Sequence, residues 1–239
     1  LQNGGYDNGI SHVEISVNFA NDTVAVGVAE IVENDEYKNL ADHPIVDELL
    51  DKYEDAISAA TRELGYNAEY RDSTFIRQLV ADLYLQRGIE QWGEKYDIVL
   101  GGGFISTRDP YMLPVGTLRY YDLMGVLPFD NAIYLCRISG AKLKSQFINT
   151  TNSNYFIAFS DYGVSVSDHI RDNEMYYIIT DKYSVDYRAN GLTAIECLGE
   201  DIFARDLVAD YVSAGGLDTG AKRLTIAQAF AMGTEIPHG

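Results

Sequence analysis

Between Ile10 and Val32 apolar and polar residues alternate with the two-residue period of a β-strand. Val13, Ile15, Val17 and Phe19 interleave with His12, Glu14, Ser16 and Asn18, and after Ala20-Asn21-Asp22 the apolar set resumes at Val24, Val26, Val28 and Ile31. The pattern predicts a hairpin, and no neighbouring stretch extends it into a sheet that would bury its apolar side. The polar, acidic stretch 34–42 (NDEYKNLAD) reads as a linker. From Pro44 the period changes to that of a helix: Ile45, Leu49, Leu50, Tyr53, Ile57 and Ala60 recur on one face. Asp42 is placed as N-cap, and Pro44 sits in the first turn, where its missing N–H is tolerated. Gly65 is expected to end this helix, with a short strand over 66–70. A second amphipathic helix follows from Ser73 or Thr74 to Gln86, turning Phe75, Leu79, Val80, Leu83 and Tyr84 inward.

The apolar run Ile98, Val99, Leu100 then meets Gly101, Gly102 and Gly103, which predicts a strand ending in a permissive turn. Bare amides in such a turn, with Arg108 close behind, suit an anion. Pro110 and Pro114 forbid regular structure, and Gly116 opens an element over 120–127. Pro128, Phe129, Asp130 and Asn131 break that element before a buried strand over 132–138. This second loop sets an aromatic face beside an amide side chain, which suits a flat heterocycle. Further on, the pattern predicts a short helix over 141–149, strands over 155–159, 163–166 and 175–180, and an amphipathic helix over 202–214 with Gly215 and Gly216 behind it. The last of those strands is a near-continuous apolar run suited to the middle of a sheet. This order of elements is consistent with an α+β fold of helices packed on a mixed sheet, preceded by the hairpin.

At 239 residues the chain holds one large domain, or one domain and part of another. A formal charge of -18 leaves no basic surface to neutralise a nucleic-acid backbone or an anionic membrane, so a bound phosphate would depend on a few local arginines. No apolar run reaches bilayer length, and LQNGG has neither part of a signal peptide, so export, if it happens, is encoded outside this sequence. Cys136 and Cys197 lie in strand-like apolar surroundings and read as buried free thiols, with a disulfide between them as the alternative. His12, His43, His169 and His238 are spread without ligand spacing. Asp161, Asp168, Asp172 and Asp181 form no catalytic pair, and Ser106, Ser139 and Ser145 lie in no nucleophile elbow. On its own the chain is expected to bind rather than cut, with no metal and no other cofactor.

The segments IVLGGG, Arg108, PVGTLRYYDL, GVLPFDN and ISGAKLKSQF resemble, in order and spacing, the C-terminal substrate-binding domain of the 5'-nucleotidase and 2',3'-cyclic-nucleotide phosphodiesterase metallophosphatase family. The resemblance extends from about Ser73 to about Leu192, and DSTFIRQLVADLYL matches the family's ESNLGNLIAD helix. It implies that 1–42 is the tail of a preceding metallophosphatase domain and that 43–239 is the substrate-binding domain. Phe129 and Tyr183 would then sandwich a nucleobase, Asn131 would hydrogen-bond its edge, and Arg108 and Arg77 would attract the phosphate. ITDKYSVDYRANGLT stands where the family has TNDFLAxGGDGY, so the ribose aspartate is missing and Asp186 or Asn190 would stand in. The resemblance further implies two divalent metal ions in the preceding domain, hydrolysis of nucleotide phosphate monoesters, a nucleotide or nucleoside as partner, and a secreted, periplasmic or cell-surface location. A non-catalytic ligand-binding module, a cyclic-nucleotide phosphodiesterase and a nucleotide-sugar hydrolase are the alternatives.

Overall fold

The computed structural model describes residues 9–33, 44–108, 112–160 and 169–217. The expected strand over 163–166, with Asp161, Asp168, His43 and His238, lies outside them. The chain divides into two units, Leu1–Asp55 and Ala56–Gly239.

In the first unit, strands β1 (Gly9–Asn18) and β2 (Thr23–Glu33) form the expected antiparallel hairpin, with Val17 opposite Val24 and a register slip between Glu14 and Ile15. Asp22 takes a positive φ of 54° at the turn. Val13, Ile15, Val17, Phe19, Val24 and Val26 along it stay exposed, Phe19 at 87%. The helical pattern that follows is split into α1 (Pro44–Asp51) and α2 (Glu54–Thr61). Ile45, Leu50, Tyr53 and Ile57 are all exposed. Among the described residues neither helix has a buried side chain, and short helices without packing are marginal.

The second unit is built on a five-stranded mixed sheet in the order β7-β4-β8-β6-β9. Its strands are β4 (Ile98–Phe104), β6 (Ile133–Ser139), β7 (Tyr155–Phe159), β8 (Met175–Asp181) and β9 (Thr193–Cys197). β4 and β8 run parallel and the other neighbours antiparallel, so the apolar β8 does lie in the middle. One face is covered by α3 (Ser73–Trp92), whose Ile76, Leu79, Val80, Leu83 and Tyr84 join the larger core. The Asp72 carboxylate caps this helix by accepting from Phe75 N at 2.8 Å. Val208 and Val212 of α6 (Ala204–Ser213) join the same core. On the other face Leu143 of α5 (Gly140–Leu143) and Phe147 of the π-helical turn Lys144–Ile148 pack on Leu100, Cys136, Ile138 and Ile178. A small antiparallel pair, β3 (Glu63–Asn67) and β5 (Gly116–Arg119), leads into α4 (Tyr120–Val126). Among the described residues no helix is long and apolar enough to cross a membrane.

Two glycine expectations are corrected, for one physical reason. Gly65 lies inside β3 rather than ending a helix, and a Cβ there would come within 2.7 Å of Val212 O on α6. The run Gly101, Gly102, Gly103 lies inside β4, paired with Ala158, Ile157 and Phe156 of β7, and is not a turn open to an anion. A Cβ on Gly101 would sit 2.3 Å from Leu85 N of α3, and Gly102 and Gly103 adopt φ of 129° and 147°. These glycines let helix and strand backbones approach, a use that looks the same in sequence as a turn.

Candidate functional site

The carboxyl ends of the parallel strands β4 and β8 and the entry to the antiparallel β6 meet at one end of the sheet, the position where open sheets commonly hold ligands. A cavity of about 250 Å³ lies there. After β4 come Phe104, Ile105 and Ser106; before β6 come Leu127, Phe129 and Asn131; at and after the end of β8 come Asp181, Tyr183 and Arg188. Tyr84 of α3, which is 2% exposed, completes the floor.

The wall at 127–131 is fastened from behind. Asp130 pairs with Nη2 of Arg205, a residue only 9% exposed at the start of α6. The same guanidinium donates through Nε to the Tyr120 hydroxyl at 3.2 Å and lies 4.8 Å over the Phe203 ring. The Tyr120 hydroxyl in turn donates to Asp206. Phe129 itself projects 44% exposed, and the side-chain amide of the half-buried Asn131 has no partner among the described residues.

The opposite wall is the π-helical turn Ser184–Arg188 and the residues just before it. Ser184 is fully buried; its amide donates to the Asp181 carboxylate at 2.8 Å, and its hydroxyl accepts from Phe104 N at 3.2 Å. The Tyr183 ring leans on Phe104 at 5.7 Å and on Tyr187 at 5.4 Å. Over this aromatic group lies Arg188, 4.2 Å from the Phe104 centroid and 4.9 Å from that of Tyr183, donating to the Tyr183 hydroxyl at 2.6 Å. Burial pushes the Asp181 carboxyl up from 3.8 to about 6, against the opposing hydrogen bonds from Ser184. The buried phenol of Tyr84 is raised by its own desolvation first and by Asp181 second.

The family model of the 5'-nucleotidase C-terminal domain matches residues 55–171. Residues 55–171 belong to the 5'-nucleotidase C-terminal domain family. No curated protein matches the chain in sequence. Among solved structures it is similar to a Staphylococcus aureus protein assigned as a 5'-nucleotidase in complex with alpha-ketoglutarate (13% identity, TM-score 0.47, covering 89% of this chain and 49% of that one). A 5'-nucleotidase precursor from Thermus thermophilus gives 12% and 0.47, covering 87% and 47%. The Haemophilus influenzae NAD nucleotidase gives 13% and 0.40, covering 87% and 51%. The chain thus spans about half the length of the solved structures it matches.

Set against the nucleotidase motifs, the expected residues divide. Phe129, Asn131 and Tyr183 line this cavity. Arg77, Arg108 and Asp186 are not among its lining residues. Arg77 donates to the Thr107 hydroxyl at 3.0 Å, Arg108 is exposed with its amide on Val126 O at 2.9 Å, and Asp186 accepts from Lys182 at 2.7 Å. Asn190 offers its carbonyl to Gln146. The lining residues that went unassigned in the sequence include Tyr84, Phe104, Asp181 and Arg188. An aromatic directly after the glycine run, and an acid closing an otherwise apolar strand, were the only signals available for Phe104 and Asp181. Among the described residues no three His, Cys, Asp or Glu side chains come together in a way that would hold a metal ion. Cys136 and Cys197 are free, and burial pushes the Cys136 thiol up to about 12.

Proposed function

We propose that this chain recognises the nucleotide for a metal-dependent 5'-nucleotidase acting outside the cytoplasm or at the cell surface, with hydrolysis carried out by a metallophosphatase domain beyond these residues. The observation that carries this reading is that Phe129 and Tyr183, far apart in sequence, line one cavity together with an amide, Asn131, that no described residue engages. A base stacked on such rings gains roughly 1 to 3 kcal/mol by analogy with other stacking platforms. For the phosphate, Arg77 holds Thr107, whose neighbours are the cavity-lining Ser106 on one side and Arg108 on the other. Both cations therefore flank the loop that leads out of the cavity. Asp186 would have to leave Lys182 to reach a ribose hydroxyl.

Titration of adenosine and guanosine 5'-monophosphate into the chain, followed calorimetrically, tests this. Binding is expected, and Phe129→Ala should abolish it. A variant that binds like the parent chain removes the clamp and the reading with it.

A further inference from the structure

The cavity's polar groups are unevenly distributed, and the imbalance bears on which base it takes. Asp181 closes β8 two residues before Tyr183, lines the cavity and is 6% exposed. A carboxylate has about four acceptor positions. Ser184 serves Asp181 with its amide at 2.8 Å and with its hydroxyl, leaving about two, and no described cation pairs with it. Donors are present elsewhere on the lining: the unengaged amide of Asn131, the guanidinium of Arg188, and the hydroxyl of Tyr84, which has no partner among the described residues.

We infer that Asp181 selects the base, its carboxylate taking the two adjacent N–H groups on the edge of guanine, so that the cavity prefers guanine nucleotides to adenine nucleotides. Guanine presents N1–H and the 2-amino group side by side, and a carboxylate accepts both in parallel. Its O6 and N7 are acceptors, which suit the Asn131 amide or the Arg188 guanidinium. Adenine turns the N1 lone pair towards the carboxylate, placing acceptor against acceptor, and a buried polar group left so mismatched discriminates strongly. Hypoxanthine keeps N1–H and lacks the amino group, which places it between the two.

Because this rests on the cavity being a nucleotide site, the test uses a series that separates the two claims. Guanosine, inosine and adenosine 5'-monophosphate are titrated calorimetrically into the chain at about pH 8, where the carboxyl is ionised. Guanosine monophosphate should bind about tenfold or more tighter than adenosine monophosphate, with inosine monophosphate between them. Asp181→Asn offers one donor and one acceptor in place of two acceptors, so it should lose the guanosine preference and favour xanthosine 5'-monophosphate, whose 2-oxo group accepts. Circular dichroism of the variant checks its fold, and the series on the parent chain needs no variant. If the three nucleotides bind within about twofold of one another while Phe129→Ala still abolishes binding, the Asp181 assignment fails and the nucleotide reading stands. If none binds, both fail.

Discussion

The two walls of the cavity are built on opposite plans. The wall at 127–131 lies within the family span and is tied to a different element by a buried arginine: Asp130 to Arg205, Arg205 to Tyr120, Tyr120 to Asp206. The wall formed by Tyr183 and the turn Ser184–Arg188 lies beyond that span and is held by surface stacking, Arg188 over the Tyr183 ring and over Phe104 at the end of β4. A wall braced by a buried charge ties site geometry to the stability of the whole unit. A wall that stacks on itself at the surface can change composition at small cost to the fold, which fits where the family motif is kept and where it is lost.

The largest effect should come from the braced wall. Arg205→Leu removes a charged donor from the half-buried Tyr120 hydroxyl and the cation over the Phe203 ring, while the Asp130 carboxylate, 65% exposed, turns to water; the two half-buried losses together cost about 3 kcal/mol. Urea unfolding should show that drop, and nucleotide titration should show weakened binding, because Phe129 sits next to Asp130. A loss under about 1 kcal/mol would mean that the wall stands without its brace.

The floor between the walls gives a smaller effect of opposite sign. The Asp181 carboxyl titrates at about 6 in the folded chain against 3.8 as its ordinary value, so the folded form holds the proton more tightly. Its contribution is fully favourable below the lower value and is lost as pH rises through the higher one. Asp181→Asn should therefore stabilise the chain above about pH 7 by on the order of 2 kcal/mol, and do little near pH 4. Thermal melts of both proteins across that range measure the difference. Equal gains at both ends would show that ionisation of Asp181 is not the cause.

The same contrast explains what was legible in the sequence. The hairpin and α3 follow from periodicity, and β7 and β8 from apolar runs of strand length. Gly65 and the run at 101–103 misled because their role is set by partners distant in sequence, and α3 runs on past the expected end at Gln86 through Gly88, where a Cβ would meet Ile179 at 2.2 Å. Phe129 and Asn131 were legible from a motif that kept its residues. Phe104 and Arg188 were not, because their pairing depends on β4 and the turn after β8 meeting across the sheet, and no local pattern encodes that meeting.

The smallest stability effect belongs to the self-stacked wall and sharpens the comparison most. Arg188→Ala deletes two cation–π contacts and the bond to the Tyr183 hydroxyl, all at an exposed residue, where each such contact is worth about 0.5 to 1 kcal/mol before the arginine's own ordering cost is subtracted. The net change in unfolding free energy should stay below about 1 kcal/mol. Tyr183 would keep its ring contacts with Phe104 and Tyr187 but lose the group that fixes its hydroxyl, so the clamp should loosen while the sheet is unaffected. Nucleotide affinity is therefore expected to fall by a larger factor than stability does, the reverse of a brace. If urea unfolding shows Arg188→Ala to cost as much as Arg205→Leu, both walls carry the fold and the distinction between them is lost.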